Sequence, residues 1–285
     1  MSAHPFARDF SLEATRPNAA EIAALAAILP PATPVFITAV PTIDTGELVA
    51  AAAGLRKAGL EPVAHIAARR LANAGQLGEL LDRLRGEADM RRLLIIGGDM
   101  DASGAFPDAL SVIQKGRLRE AGIEAIGIGG YPEGHPRVAA DRLEAALDQK
   151  IAAARAAGLK VFIVSQFSFS GERILAWVKQ LRACGISVPV KIGLAGPASV
   201  TALLRYAKRC GVSASLRGLM SGAAAGLIGN SGPDRIIETL AAAGELGIAP
   251  HYFSFGGAVE TARYACDAAA GRIAAGHAMA KSNSN

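Results

Sequence analysis

The sequence predicts a (β/α)8 barrel, the TIM-barrel fold, built as a single domain. Three observations carry this expectation. First, one short phrase recurs: a helical stretch ends on a small residue, a glycine and an aliphatic before an apolar run begins. It appears at Ala58-Gly59-Leu60, Ala121-Gly122-Ile123, Ala157-Gly158-Leu159, Cys184-Gly185-Ile186, Cys210-Gly211-Val212 and, slightly altered, Leu246-Gly247-Ile248. The glycine supplies the left-handed residue that closes a helix, and the aliphatic packs back as the next strand starts. The long interval from Gly59 to Gly122 conceals one further unit. Second, eight short apolar runs alternate with longer amphipathic stretches, which is the βα alternation of a parallel sheet. Third, the first strand is followed by Leu12-Glu13-Ala14-Thr15-Arg16, without the glycine-rich turn an open dinucleotide-binding sheet carries there. A closed barrel fits better.

Taken in order, the expected strands are Phe10–Ala14, Val35–Val40, Pro62–Ala67, Leu93–Gly97, Ala125–Gly129, Val161–Gln166, Val188–Leu194 and a last one around Tyr252–Phe255. Between them lie Ala- and Leu-rich helical patterns such as Ala19–Leu29, Thr45–Ala58 and Val138–Ala157. Leu203 to Leu246 holds more than one helix, so extra helices precede the last strand. The barrel is expected to span residues 1–280, with 281–285 a frayed polar tail. The stretch Ile123–Pro136 stands out. Its strand breaks into Tyr131-Pro132-Glu133-Gly134-His135-Pro136, where each proline holds its predecessor extended. Tyr131 and His135 therefore sit in a stiff loop at a strand end.

Composition bounds the function. At 285 residues and 51% hydrophobic, the chain can bury a large core. Thirty Lys+Arg against 25 Asp+Glu leave +5, and no basic run interleaved with aromatics argues for nucleic acid. Cys184, Cys210 and Cys266 lack metal-ligand spacing, so a reducing cytoplasm is expected and no metal site. The first ten residues hold no apolar signal core, and no apolar run reaches the ~18 residues a membrane helix needs. A homo-oligomer is compatible with the Ala-rich helices.

In a barrel the chemistry sits at the strand ends. Strand one ends on Glu13 in an apolar setting, where burial raises a carboxyl toward the range of a useful acid; the plainer alternative is an ion pair with Arg16. Strand two ends at Thr38 and strand three at His65, which alone reads as packing. Strand four gives Gly97-Gly98-Asp99, exposed backbone followed by an aspartate, suited to a cofactor ring or to a capped turn. Strand six ends Ser165-Gln166-Phe167, and the glutamine offers the paired donor and acceptor that a heterocyclic amide edge needs. Lys191 on strand seven can neutralise an anion or reach solvent, and Phe253 and Phe255 close the set. One acid, one aspartate, one amide and no Ser-His-Asp order favour a cofactor doing the hard chemistry.

These residues resemble the methylenetetrahydrofolate reductase family, from Phe10 to about Arg272. Tyr131-Pro132-Glu133-Gly134-His135-Pro136 matches its Tyr-Pro-Glu-x-His-Pro loop; Ser165-Gln166-Phe167, Gly98-Asp99-Met100, Ala64-His65 and Ser11-Leu12-Glu13 follow in family order. The resemblance implies hydride transfer between reduced FAD, itself reduced by NAD(P)H, and 5,10-methylenetetrahydrofolate to give 5-methyltetrahydrofolate, or the reverse. By carry-over Glu13 protonates folate N10, Asp99 tunes flavin and pterin, and Gln166, Phe167 and Phe253 line the folate. Thr38, His65, Gly97, Gly98, Asp99, Gly129, Tyr131 and His135 would line the flavin, with Glu144 and Lys150 near its adenosine half.

Departures from the family are also visible. Gly97 replaces an arginine that would bind flavin phosphate, and Phe253 and Gly257 stand where Tyr and Arg are frequent. Two further readings follow: direct nicotinamide–folate transfer without flavin, and a folate-binding barrel that carries or transfers methyl groups without redox chemistry.

Overall fold

A computed structural model describes residues 5–40, 44–101, 104–212, 233–244 and 246–272. The expected tail at 281–285, and the part of the Leu203–Leu246 stretch beyond these ranges, lie outside the described residues. Eight parallel strands close into a barrel in sequence order: β1 Ser11–Ala14, β2 Pro34–Ile37, β3 Glu61–Ala67, β4 Arg92–Ile96, β5 Ala125–Gly130, β6 Lys160–Phe167, β7 Val190–Ala195 and β8 Ile248–Phe253. Closure comes from β8 pairing with β1, Ser11 opposite His251 and Leu12 opposite Tyr252.

The described helices are α1 Pro5–Arg8, α2 Ala19–Ile28, α3 Thr45–Lys57, α4 Ala74–Ala88, α5 Ala109–Lys115, α6 Ala140–Ala156, α7 Gly171–Ala183, α8 Val200–Cys210, α9 Asp234–Ala241 and α10 Ala258–Ala269. Both α8 and α9 fall between β7 and β8, which is the elaborated last repeat. Six helices start on a side-chain cap: Asn18, Asp44, Asn73, Asp108, Ser170 and Ser199 each accept a backbone N–H of the first turn. Such a cap satisfies a donor that the helix itself leaves unpaired. The unit hidden between Gly59 and Gly122 is α4 followed by β4. Its closing left-handed residue is Asp89 (φ 44°) rather than glycine, so the glycine pattern skips it.

Alternation along each strand sorts the core into two sides. Phe36, Val63, Leu94 and Val164, with Ile96 and Phe162 against them, fill the barrel's inside. Residues of opposite parity, such as Leu12, Val35, Ile37, Leu93, Ile95 and Ile163, join the much larger layer between strands and helices.

Two strand limits differ from expectation by three residues or more, the others by two at most. β2 ends at Ile37 rather than Val40. β8 begins at Ile248, four residues before the expected Tyr252, because Pro250 is tolerated inside it. The reason is the shortness of β1. Its first residue, Ser11, lies opposite His251, so no strand stands beside Pro250 on that side to need an N–H.

Candidate active site

The polar heart of the barrel lies inside it. Ser11 and Glu13 project inward from β1, His65 from β3 and His251 from β8, all of them buried. Glu13 Oε1 lies 3.5 Å from His65 Nε2 and 3.4 Å from His251 Nε2, while His251 Nδ1 meets Ser11 Oγ at 2.9 Å. Phe36 packs edge-on against both imidazoles, with centroids 6.0 Å and 4.6 Å away. Burial pushes the Glu13 carboxyl up to about 7, only partly countered by His65. Burial likewise depresses His65 to about 4 and His251 to about 3, the latter helped by the charge of Lys191. Around neutrality both imidazoles are therefore uncharged, and Glu13 is poised between acid and base. The alternative pairing of Glu13 with Arg16 is not what forms; Arg16 pairs with Glu47 at 3.0 Å.

Above this group the strand ends build a mouth. Gly97 and Gly98 follow β4, and a Cβ at Gly97 would meet nothing within 4 Å. Gly98 takes φ +93° and its carbonyl lies 3.5 Å from Arg69 Nη1, while Arg70 Nη2 lies 2.7 Å from Asp99 Oδ1. Arg70 comes from the 3-10 turn Ala68–Arg70 that directly follows β3. Thr38 sits just past β2 and donates to Thr15 Oγ1 at 2.8 Å. The Tyr131 loop follows β5, with Tyr131 and His135 rings edge-to-face at 5.4 Å. Glycine at 129 leaves the space that the tyrosine hydroxyl fills, 3.2 Å from where a Cβ would stand.

Gln166 reaches the mouth through an irregularity. The β6–β7 register shifts between Val164 and Phe167, and Ser165 Oγ bridges the gap by accepting from Gly193 N at 2.8 Å and donating to Gln166 O at 2.9 Å. A bulge of this kind re-aims a side chain. The amide of Gln166 then ties two segments: Oε1 accepts from Glu133 N at 3.2 Å, and Nε2 donates to Cys210 O at 2.9 Å. The Glu133 side chain beneath the loop is fully buried and accepts from Ser168 Oγ.

Not every expected residue converges. Phe167 is 1% exposed and packs among Phe169, Phe253 and Phe255 under α8, so it belongs to an aromatic core rather than to the mouth. Its parity explains this, since Gln166 and Phe167 face opposite sides of one strand. Phe253 is half-buried and bridges the two groups, 5.3 Å from the His251 ring and 5.7 Å from Phe167. On α6 the two residues expected near an adenosine diverge. Glu144 accepts from Gln180 of α7, whereas Lys150 lies on the side of Asp108 at the start of α5, its pKa lowered by burial. Sequence reasoning passed over Ser11, His251 and Arg70. Period-two spacing of Ser11 with Glu13, and of His251 with Phe253, was the available signal for the first two.

Among the described residues no group of three or more His, Cys, Asp or Glu could hold a metal ion, and no helix is long and apolar enough to cross a membrane. Comparison with solved structures finds a putative phosphonomutase from Burkholderia cenocepacia J2315, with a TM-score of 0.52 at 12% identity over 88% of this chain and 87% of that one. That likeness concerns the barrel alone. Among curated proteins, Methylenetetrahydrofolate reductase 2 of Saccharomyces cerevisiae is 31% identical over 108 residues, which is 37% of this chain and 17% of the yeast protein. Residues 37–216, more than half the chain and including the Gly97–Asp99 turn, the Tyr131 loop and Gln166, match the family model of methylenetetrahydrofolate reductase. The chain belongs to the methylenetetrahydrofolate reductase family.

Proposed function

We propose that this barrel is a methylenetetrahydrofolate reductase-type oxidoreductase, moving a hydride to or from the one-carbon bridge of 5,10-methylenetetrahydrofolate with Glu13 as its acid. The observation that carries the reading is the Glu13 carboxyl itself: raised by burial to about 7, flanked by two uncharged imidazoles, and 11% exposed. An acid with this pKa can protonate folate N10 and open the five-membered ring to an iminium, the electrophile that accepts hydride. Asp99 and Gln166 lie at the same mouth, where their acceptors and amide suit the edge of a pterin. To receive it, Gln166 would give up its present bonds to Glu133 N and Cys210 O.

The residues present fit a flavin. Gly97 leaves backbone open where a side chain would stand, and Tyr131 and His135 form an aromatic pair past the end of the adjacent strand β5. Arg70, from the turn after the neighbouring strand β3, brings a guanidinium to Asp99 where the family arginine before Gly98 is missing. FAD bound there would supply the hydride, with NAD(P)H as its source. Gly97, Gly98, Tyr131, His135 and Arg70 would hold it, and the protein's own work is to orient the folate and keep a proton at Glu13.

The missing arginine before Gly98 favours one second reading, direct transfer between NAD(P)H and folate without flavin. The discriminating measurement is the absorbance spectrum of the purified protein before and after added FAD, together with NADH- and NADPH-dependent turnover of methylenetetrahydrofolate. Flavin absorbance that bleaches with NAD(P)H and recovers with the folate supports the leading reading. Turnover by a colourless protein selects the second, and no turnover in either direction overturns both.

A further inference from the structure

The hydrogen-bond partners inside the barrel run in one direction. Pro250 O is a carbonyl and can only accept, and Ser11 Oγ reaches it at 3.5 Å. The Ser11 hydroxyl that donates there is left to accept from its other neighbour, His251 Nδ1 at 2.9 Å. Nδ1 then carries the imidazole proton, because a neutral imidazole has one N–H. Its Nε2 is the bare nitrogen, and it faces Glu13 Oε1 at 3.4 Å. Two lone pairs in opposition at that separation repel, whereas a carboxylic acid O–H pointing at the bare nitrogen forms a hydrogen bond. The barrel's own closure sets this arrangement, since Ser11 and His251 are direct partners in the β1–β8 register.

We propose that His251, oriented by Ser11, is a positioning residue that keeps Glu13 in its protonated, proton-donating form. The chain runs Glu13 O–H to His251 Nε2, His251 Nδ1–H to Ser11 Oγ, and Ser11 O–H to the Pro250 carbonyl. Ser11 is wholly buried and is no nucleophile; its hydroxyl serves as a relay of orientation. The consequence for catalysis rests on the reading of Glu13 as the acid, but the hydrogen-bond assignment does not.

Other charged neighbours act in the same sense or are accounted for. Lys191, inward on β7, holds His251 from taking a second proton, and its own pKa is lowered to about 8 by burial and by Arg92, with Asp9 opposing. His65 on β3 approaches the same Glu13 oxygen at 3.5 Å and is itself uncharged at neutrality. Phe36 on β2 closes the remaining side with an apolar edge.

The test uses the full-length protein labelled with 15N-histidine and read by long-range proton–nitrogen NMR at neutral pH, without ligand. The expected spectrum has His251 protonated at Nδ1 and bare at Nε2; a proton on Nε2 overturns the assignment. Ser11→Ala removes the acceptor for Nδ1–H and frees the ring to present Nε2–H to a carboxylate. Glu13, followed by a 13C-carboxyl label, is then expected to titrate about one pH unit lower, with Ser11→Thr restoring the original value. The alkaline limb of turnover moves down with it while KM for the folate holds. An unmoved Glu13 titration sinks the proposal. A moved titration in a protein with no folate turnover at all leaves the hydrogen-bond chain standing and removes the function assigned to Glu13.

Discussion

The Glu13 carboxyl and the His65 imidazole stand 3.5 Å apart, Oε1 to Nε2, inside a barrel that leaves them 11% and 7% exposed. Burial moves the two groups in opposite senses. Glu13 is raised from 4.5 to about 7, so the unfolded chain holds fewer protons there than the folded one between those limits, and folding stability falls as pH rises through them. His65, lowered from 6.5 to about 4, does the reverse: its contribution is present above 6.5 and lost as pH falls toward 4. Glu13→Gln removes the first effect and, with the carboxylate, the partial support it gives to a protonated His65. The stability of this variant relative to the wild type should improve by about 3 kcal/mol between pH 4.5 and pH 7. Urea titrations across that range check it, and a flat difference would mean the carboxyl is better solvated than its burial implies.

The same substitution should abolish the acid without emptying the mouth. Turnover of methylenetetrahydrofolate is expected to fall by about 10²–10⁴-fold, the range for loss of a general acid, with folate affinity little changed. Stopped-flow rates alongside equilibrium binding separate the two. Full activity in Glu13→Gln would assign the proton to another group.

Gln166 joins the Tyr131 loop to the end of α8 through one amide. Gln166→Ala leaves the Glu133 N–H and the Cys210 carbonyl without this partner and should cost about 1–3 kcal/mol. KM for the folate should rise more than kcat falls, because orientation rather than proton transfer is lost. Thermal unfolding and steady-state kinetics report the two effects separately.

Gly193 of β7 lies against the bulge that aims Gln166. A Cβ there would stand 2.7 Å from Phe253 Cε2 and 2.8 Å from the Gln166 carbonyl carbon, and would also strike the backbone oxygen of Ser165. Two of these atoms are backbone and cannot swing aside. Gly193→Ala should destabilise the fold by about 1–3 kcal/mol or more and disturb Gln166 even where folding survives, which denaturation midpoints and folate binding would show together.

Asp89 occupies the left-handed position that closes α4, at φ 44°. Asp89→Gly relieves a strain of about 1–2 kcal/mol for a residue with a Cβ and gives up exposed ion pairs with Arg85 and Arg91 worth about 0–1 kcal/mol. A small net gain in unfolding free energy is expected, and a loss would show that the ion pairs outweigh the backbone.

Much of this molecule is legible along the chain. The helix-closing glycines and alternating apolar runs dictate eight βα units, because a left-handed residue and a two-residue period are local requirements. The same logic places Glu13, His65 and Gln166 at or near strand ends. It fails where a local rule is met by an unusual residue, as at Asp89, or where a neighbour is too short to object, as at Pro250 beside β1. It also leaves Phe167 looking like part of the mouth, since a motif carries no account of which side of a strand is sealed.

Along the chain alone, then, the barrel and the polar residues offered at its strand ends can be read. Folding in three dimensions brings Ser11 and His251, 240 residues apart, into register, and lets a bulge aim Gln166 at the mouth while Arg70 rather than a β4 arginine reaches Asp99. Closure of β8 on β1 is set by the summed packing of eight strands, and no local pattern encodes which residues that closure brings face to face.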